Sequence, residues 1–134
     1  MNRLDYILYI QDLMDEKSSA TDEIYGIDLG VGASCIYALL GCSLRKNWNF
    51  VGTEINGDSI EYAQENINRN LLQDRIHIIQ NKRQRHIFPK KLLQRHEKYD
   101  FCMCNPPFYK DMDHAQELAS SKVTLVVLLV YESC

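Results

Sequence analysis

Apolar positions along this chain switch between two spacings. Leu4, Ile7, Ile10, Leu13 and Met14 recur every three or four residues, which predicts an amphipathic helix over 4–14. A polar, small-residue linker follows from Asp15 to Asp22. Ile24 to Leu29 is a short apolar run that predicts a first strand. It enters Gly30-Val31-Gly32, after which Ser34 stands where an N-cap belongs for a helix from Cys35 to about Leu44. A second strand is predicted from about Trp48 to Thr53. Gly57-Asp58 then opens a helix running to about Leu71, with Ile60, Ala63, Ile67 and Leu71 on its core face. Arg75 to Ile79 reads as a third strand and Tyr99 to Cys104 as a fourth. Between them lies a weakly patterned stretch with a short helix after Pro89. A helix is predicted over 111–121, and Val123 to Tyr131 has strong strand propensity. Strands alternating with helices predict an α/β fold: a mostly parallel sheet with helices on both faces. The length of 134 residues allows one domain.

Sheets of this kind bind ligands at the carboxyl ends of their strands. Three groups of residues fall there. Asp28-Leu29-Gly30-Val31-Gly32 ends the first strand, and its glycines let the backbone turn sharply beside a ligand. Glu54 ends the second strand, where a carboxylate can accept bonds from both hydroxyls of a ribose. The competing reading of Glu54 is a solvated acid at the start of the next helix. Asn105-Pro106-Pro107-Phe108 ends the fourth strand. Each proline fixes φ, removes a donor and pushes its predecessor out of the helical region, giving a stiff extended tip. The Asn105 side-chain oxygen and a proline carbonyl can take the two N–H donors of an exocyclic amine, and Phe108 offers a face on which a base can stack. A plain proline-rich turn is the alternative for that tetrapeptide in isolation.

Two segments, Gly26-Ile27-Asp28-Leu29-Gly30-Val31-Gly32-Ala33-Ser34-Cys35-Ile36-Tyr37 and Tyr99-Asp100-Phe101-Cys102-Met103-Cys104-Asn105-Pro106-Pro107-Phe108, carry a family resemblance. Together with Arg3-Leu4-Asp5-Tyr6-Ile7 they resemble class I S-adenosylmethionine-dependent methyltransferases. Within that class the chain is most similar to the branch holding methyltransferase-like protein 16 and the bacterial ribosomal RNA large-subunit methyltransferase F. The resemblance runs from about residue 2 to 110. It implies a Rossmann-like domain that uses S-adenosyl-L-methionine to methylate the N6 amino group of an adenine in structured RNA, such as U6 small nuclear or ribosomal RNA. It further implies Asn105, Pro106, Pro107 and Phe108 as the catalytic segment. Arg3, Asp28, Gly30, Gly32, Ser34, Glu54 and Asn105 are the implied cofactor-binding residues, with 81–85 flanking the cofactor adenine. The class has seven strands and longer chains, so the expectation is a partial domain over 1–134 with its later strands missing.

Composition adds boundaries. The formal net charge is −3, so the overall balance does not announce nucleic acid. Lys82, Arg83, Arg85, Lys90, Lys91, Arg95 and Lys98 nevertheless crowd one segment whose one acid is Glu97. Both a phosphate-binding patch and a solvated face fit that run. The five cysteines have no Cys-x-x-Cys with a matching histidine pair, so no metal is expected. The charged amino terminus does not read as a signal peptide, and the apolar run near the carboxyl terminus is too short to span a bilayer as a helix. An intracellular protein of nucleus or cytoplasm, with an RNA partner and no membrane, is expected. Two readings compete with an RNA adenine-N6 methyltransferase. One is a non-catalytic RNA- or protein-binding remnant of the fold. The other is an amino-methyltransferase acting on DNA adenine or protein glutamine.

Overall fold

A computed structural model describes residues 2–19, 21–82, 88–96, 98–104 and 127–129. The elements in chain order are α1 (Arg3–Lys17), β1 (Ile24–Leu29), α2 (Ile36–Leu44), β2 (Trp48–Glu54), α3 (Gly57–Arg69), β3 (Ile76–Gln80), α4 (Lys90–Arg95), β4 (Phe101–Cys104) and β5 (Val127–Leu129). The strands form one sheet in the order β3-β2-β1-β4-β5. Every pairing is parallel, with Leu29 opposite Thr53 on β2 and opposite Cys104 on β4. The predicted helical segment 111–121 lies outside the described residues.

Each strand of the centre is buried on both faces, as a parallel sheet requires. One face packs under α1, α2 and α3. Its core includes Ile7, Ile10 and Met14, then Tyr37, Ala38 and Cys42, and Ala63 and Ile67 from those three helices. The rings of Trp48, Phe50 and Phe101 meet in the middle of this face. The Trp48 and Phe101 centroids lie 5.1 Å apart and those of Phe50 and Phe101 5.4 Å apart. Such contacts are worth roughly 0.5–1.5 kcal/mol each beyond the area they bury. The other face carries Ile27, Leu29, Val51, Ile79, Tyr99 and Cys102, and Leu92 of α4 covers it.

Three helix-end expectations are corrected. Ser34 does not cap α2. Cys35 occupies the N-cap position with φ 53°, makes no side-chain capping bond, and is fully buried. The Gly-x-Gly turn delivers the chain so that the cap residue must face inward, and a buried thiol fits where an exposed serine does not. Leu71 is not a core residue. α3 stops at Arg69, Asn70 follows as its cap, and Leu71 takes φ 58° with 80% of its surface exposed. That left-handed step shifts the register by one residue, and Leu72 becomes the buried leucine. α1 also runs past Met14 to Lys17, closed at its start by an Asn2–Asp5 capping box.

Candidate functional site

The carboxyl ends of β1 and β2 are stitched into one edge. The N–H groups of Gly30 and Val31 donate to the Thr53 carbonyl at 2.9 and 3.0 Å. Gly30 and Gly32 adopt φ 74° and 68°, conformations that cost any side-chain-bearing residue strain. The turn also aims the Gly32 N–H at Glu54, whose Oε1 accepts it at 3.0 Å. Glu54 Oε2 accepts the N–H groups of Ile55 at 2.8 Å and Asn56 at 3.0 Å. One carboxylate therefore fixes both the glycine turn and the entry to α3. It uses three of its roughly four acceptor positions, leaving capacity for a ligand hydroxyl.

Two asparagines that the sequence did not single out complete this frame. Asn56 caps α3 by accepting from the N–H groups of Asp58 and Ser59. An Asx residue just before Gly57-Asp58 is the signal that identifies it. The Asn66 side-chain amide donates to the carbonyls of Ala33 and Ser34 at 3.3 and 3.4 Å, tying the glycine loop to α3. Asn66 gives no sequence signal, because the partner segment is more than thirty residues away in the chain. At the end of β3 the buried Asn81 donates its N–H to the Glu54 carbonyl at 2.8 Å.

Asp28 is the chemical anomaly of this edge. It is 1% exposed, and neither carboxylate oxygen has a hydrogen-bond partner among the described residues. Burial, and then the nearby negative charge of Glu54, push its pKa up to about 8. A buried acid without a partner is costly unless something cationic completes it. Glu54, together with Asp28 once that acid gives up its proton, repels a pyrophosphate and attracts a positive ligand.

Strand β4 ends at Cys104, level with Leu29 and one residue short of Gly30 in β1 register. Asn105, Pro106, Pro107 and Phe108 lie outside the described residues. Of the remaining site residues, Asp28, Gly30, Gly32 and Glu54 share one edge. Ser34 is exposed, with its carbonyl held by Asn66. Arg3 opens α1 and is exposed. Near it, Tyr6 of α1 meets Tyr37 of α2 edge-to-face with centroids 6.5 Å apart. Cys35, Cys42, Cys102 and Cys104 are buried free thiols. Burial raises the pKa of Cys42 and of Cys104 to about 12. No group of residues suited to hold a metal ion occurs among the described residues. No described helix is long and apolar enough to cross a membrane.

The parallel sheet in this order, with an acid and two left-handed glycines ending β1, is a Rossmann-like methyltransferase fold of class I. A family model described as RNA methyltransferase matches residues 1–129, and the chain belongs to that family. The U6 small nuclear RNA (adenine-(43)-N(6))-methyltransferase of Schizosaccharomyces pombe is 42% identical over 123 residues, spanning 90% of this chain and 30% of that protein. The RNA N(6)-adenosine-methyltransferase METTL16 of Homo sapiens is 37% identical over 119 residues, spanning 88% of this chain and 21% of that protein. The crystal structure of the N-terminal domain of human METTL16 in complex with SAH aligns with a TM-score of 0.75 at 34% identity, over 90% of this chain and 52% of that one. The chain thus spans less than a third of both full-length relatives.

Proposed function

We propose that this chain carries the cofactor-binding half, and the start of the catalytic loop, of an S-adenosylmethionine-dependent RNA adenine-N6 methyltransferase. The observation that carries this reading is the buried Asp28 carboxyl, without a hydrogen-bond partner among the described residues, beside Glu54 and the glycine turn. Such a donor set fits a cationic nucleoside: acid for its positive groups, carboxylate oxygens for its ribose hydroxyls, and a backbone turn that admits close approach. The ligand named with the human METTL16 domain, SAH, is the demethylated form of that nucleoside. When bound, S-adenosylmethionine supplies a methyl group already activated on a sulfonium, so no metal is required.

The residues' own work is positioning and charge. Glu54 holds the glycine turn and orients the ribose. Asp28 gives up its proton to balance a positive ligand, so binding near neutral pH releases a proton and tightens as pH rises toward about 8. Asn105 and the Pro106 carbonyl accept the two protons of the target amine, drawing its nitrogen toward a pyramidal geometry and offsetting the positive charge that develops there. Phe108 stacks the unpaired base. Structured RNA is the substrate class. The RNA named with a human METTL16 catalytic-domain complex, a MAT2A 3′UTR hairpin, supports that class. Relatives that act on U6 small nuclear RNA support a nuclear site of action.

Radiolabelled methyl transfer to separate pools of RNA, DNA and protein tests the reading. Label is expected in RNA adenine. Asn105→Ala is expected to lower turnover by about a hundredfold or more while changing cofactor affinity less than about threefold. Label in protein or DNA, or an Asn105→Ala variant within about threefold of wild-type turnover, would overturn it.

A further inference from the structure

A second surface lies at the opposite end of the sheet. A cavity of about 290 Å³ opens at the amino ends of β1, β2 and β3, lined among others by Tyr25, Asn49, Asp74, His77, Arg95 and His96. That volume is at the small end of ligand pockets, which run ~300–1,000 Å³. The His96 ring is stacked on Tyr25, with centroids 4.1 Å apart and planes inclined by 39°. Tyr99 meets the same imidazole edge-on at 5.8 Å. Two aromatic contacts thus hold an imidazole at the rim.

Charge gathers beside this cavity. Lys90, Lys91 and Arg95 come from α4, and Lys98 follows it; all four are exposed. No hydrogen bond or ion pair engages any of them among the described residues. By contrast Arg45, on another surface, is held by Asp15 at 2.8 Å. Among the described residues the acid in the cavity wall is Asp74, whose backbone is bonded to the His77 ring, while the carboxylates of Glu23 and Asp100 accept from the lining residues Asn49 and Tyr25. A six-residue helix that carries three cations, none paired among the described residues, gains little stability from them, since like charges so close repel one another.

We propose that α4 and the cavity it borders form an RNA-backbone anchor, separate from the methyl-transfer edge. Arg95 and the lysines of α4 take consecutive phosphates, and the fixed His96 imidazole donates to one of them at the cavity mouth. Tyr25 and Gly30 are five residues apart on an extended strand, so the anchor lies about 17 Å from the catalytic edge along the sheet. A stem of a structured RNA spans that distance; an isolated nucleotide does not. The anchor therefore engages an RNA of several nucleotides and not a free nucleotide. This rests on the RNA methyltransferase reading and adds to it where the stem lies.

The test is anisotropy of a fluorescein-labelled RNA hairpin across a salt series, with the full chain and with Lys90→Gln/Lys91→Gln/Arg95→Gln. These positions are exposed and make no hydrogen bond or ion pair among the described residues, and folding is checked by an unchanged urea midpoint. The triple variant is expected to lose about tenfold in affinity near 0.15 M salt, and the slope of log K against log salt is expected to flatten by roughly 2. His96→Ala is expected to lose about threefold more. SAH binding by calorimetry is expected to stay within about twofold for both variants. An unchanged slope, or equal loss for a polyglutamate competitor, overturns the anchor. Wild-type chain that methylates RNA while the triple variant keeps its slope overturns the anchor and leaves the catalytic reading standing. Absence of RNA methylation with the slope change intact does the reverse.

Discussion

The two ends of one sheet treat polar groups in opposite ways. At the amino end, beneath α2, Arg75 sends its guanidinium to the carbonyls of Trp48 at 3.1 Å and Cys42 at 2.8 Å, and also to that of Arg45. Tyr25 and Asp100 exchange two bonds, N–H to carboxylate at 2.8 Å and N–H to carbonyl at 2.7 Å. At the carboxyl end, Asp28 is buried with neither oxygen partnered among the described residues, and Gly30, Gly32 and Cys35 all sit at positive φ. The same backbone pattern thus closes on itself at one end and stays incomplete at the other. Polar groups left without partners and strained backbone collect where a ligand supplies what the protein does not. The closed end holds the strands in register so that the open end can bear that cost.

Breaking the closed end gives the largest expected effect. Arg75→Ala removes three hydrogen bonds at once and is expected to lower stability by about 3 kcal/mol, read as a fall in urea midpoint with an unchanged m-value. A loss below about 1 kcal/mol would mean the amino end is not the rigid one.

The open end should respond to pH. Asp28 has its folded pKa raised from an ordinary 3.8 to about 8. A raised folded value means the folded chain holds the proton more tightly than the unfolded chain. Its stabilising contribution is complete below about pH 4 and is lost as pH rises through about 8. Asp28→Asn removes that slope. The variant is expected to match wild type near pH 4 and exceed it by at least about 2 kcal/mol near pH 9, while SAH affinity falls about tenfold or more. Parallel stability–pH curves for the two proteins would refute the buried-acid account.

The smallest stability effect is expected at the seam between these regimes. Glu54→Gln keeps the size of the side chain but removes the charge and can no longer accept at both ends. Stability is expected to change by less than about 1 kcal/mol, since the site is half-buried and the lost bonds go to N–H groups near solvent. SAH affinity is expected to fall about tenfold, and the Gly32 amide should exchange faster with solvent. Slow exchange at Gly32 in the variant would show that the turn holds its shape without the carboxylate.

Much of this molecule is legible residue by residue. β1 begins and ends where the apolar run does, because a central parallel strand must be apolar on both faces and Ile24 to Leu29 nearly is. Gly30 and Gly32 announce the left-handed turn because few other residues tolerate it. Glu54 is legible by its place at the end of β2. The functions of Asn66 and Cys35 are not, since one acts on a loop distant in sequence and the other is placed by the path of the turn before it. Leu71 misleads the helical pattern because one left-handed residue resets the register, and periodicity carries no mark of that step.

The sequence by itself determined the order and type of the elements from α1 to β4, the glycine turn, the acidic ends of β1 and β2, and the family. These follow from local sterics and from spacing, which the chain carries with it. Only the tertiary structure decided that Asp28 lies buried without a partner among the described residues, that Glu54 grips the Gly32 amide, and that Tyr25 and His96 stack beside the cations of α4. Those depend on which distant segments come together. Burial and field at a given atom are set by every neighbour the fold brings there, and spacing along the chain does not encode them.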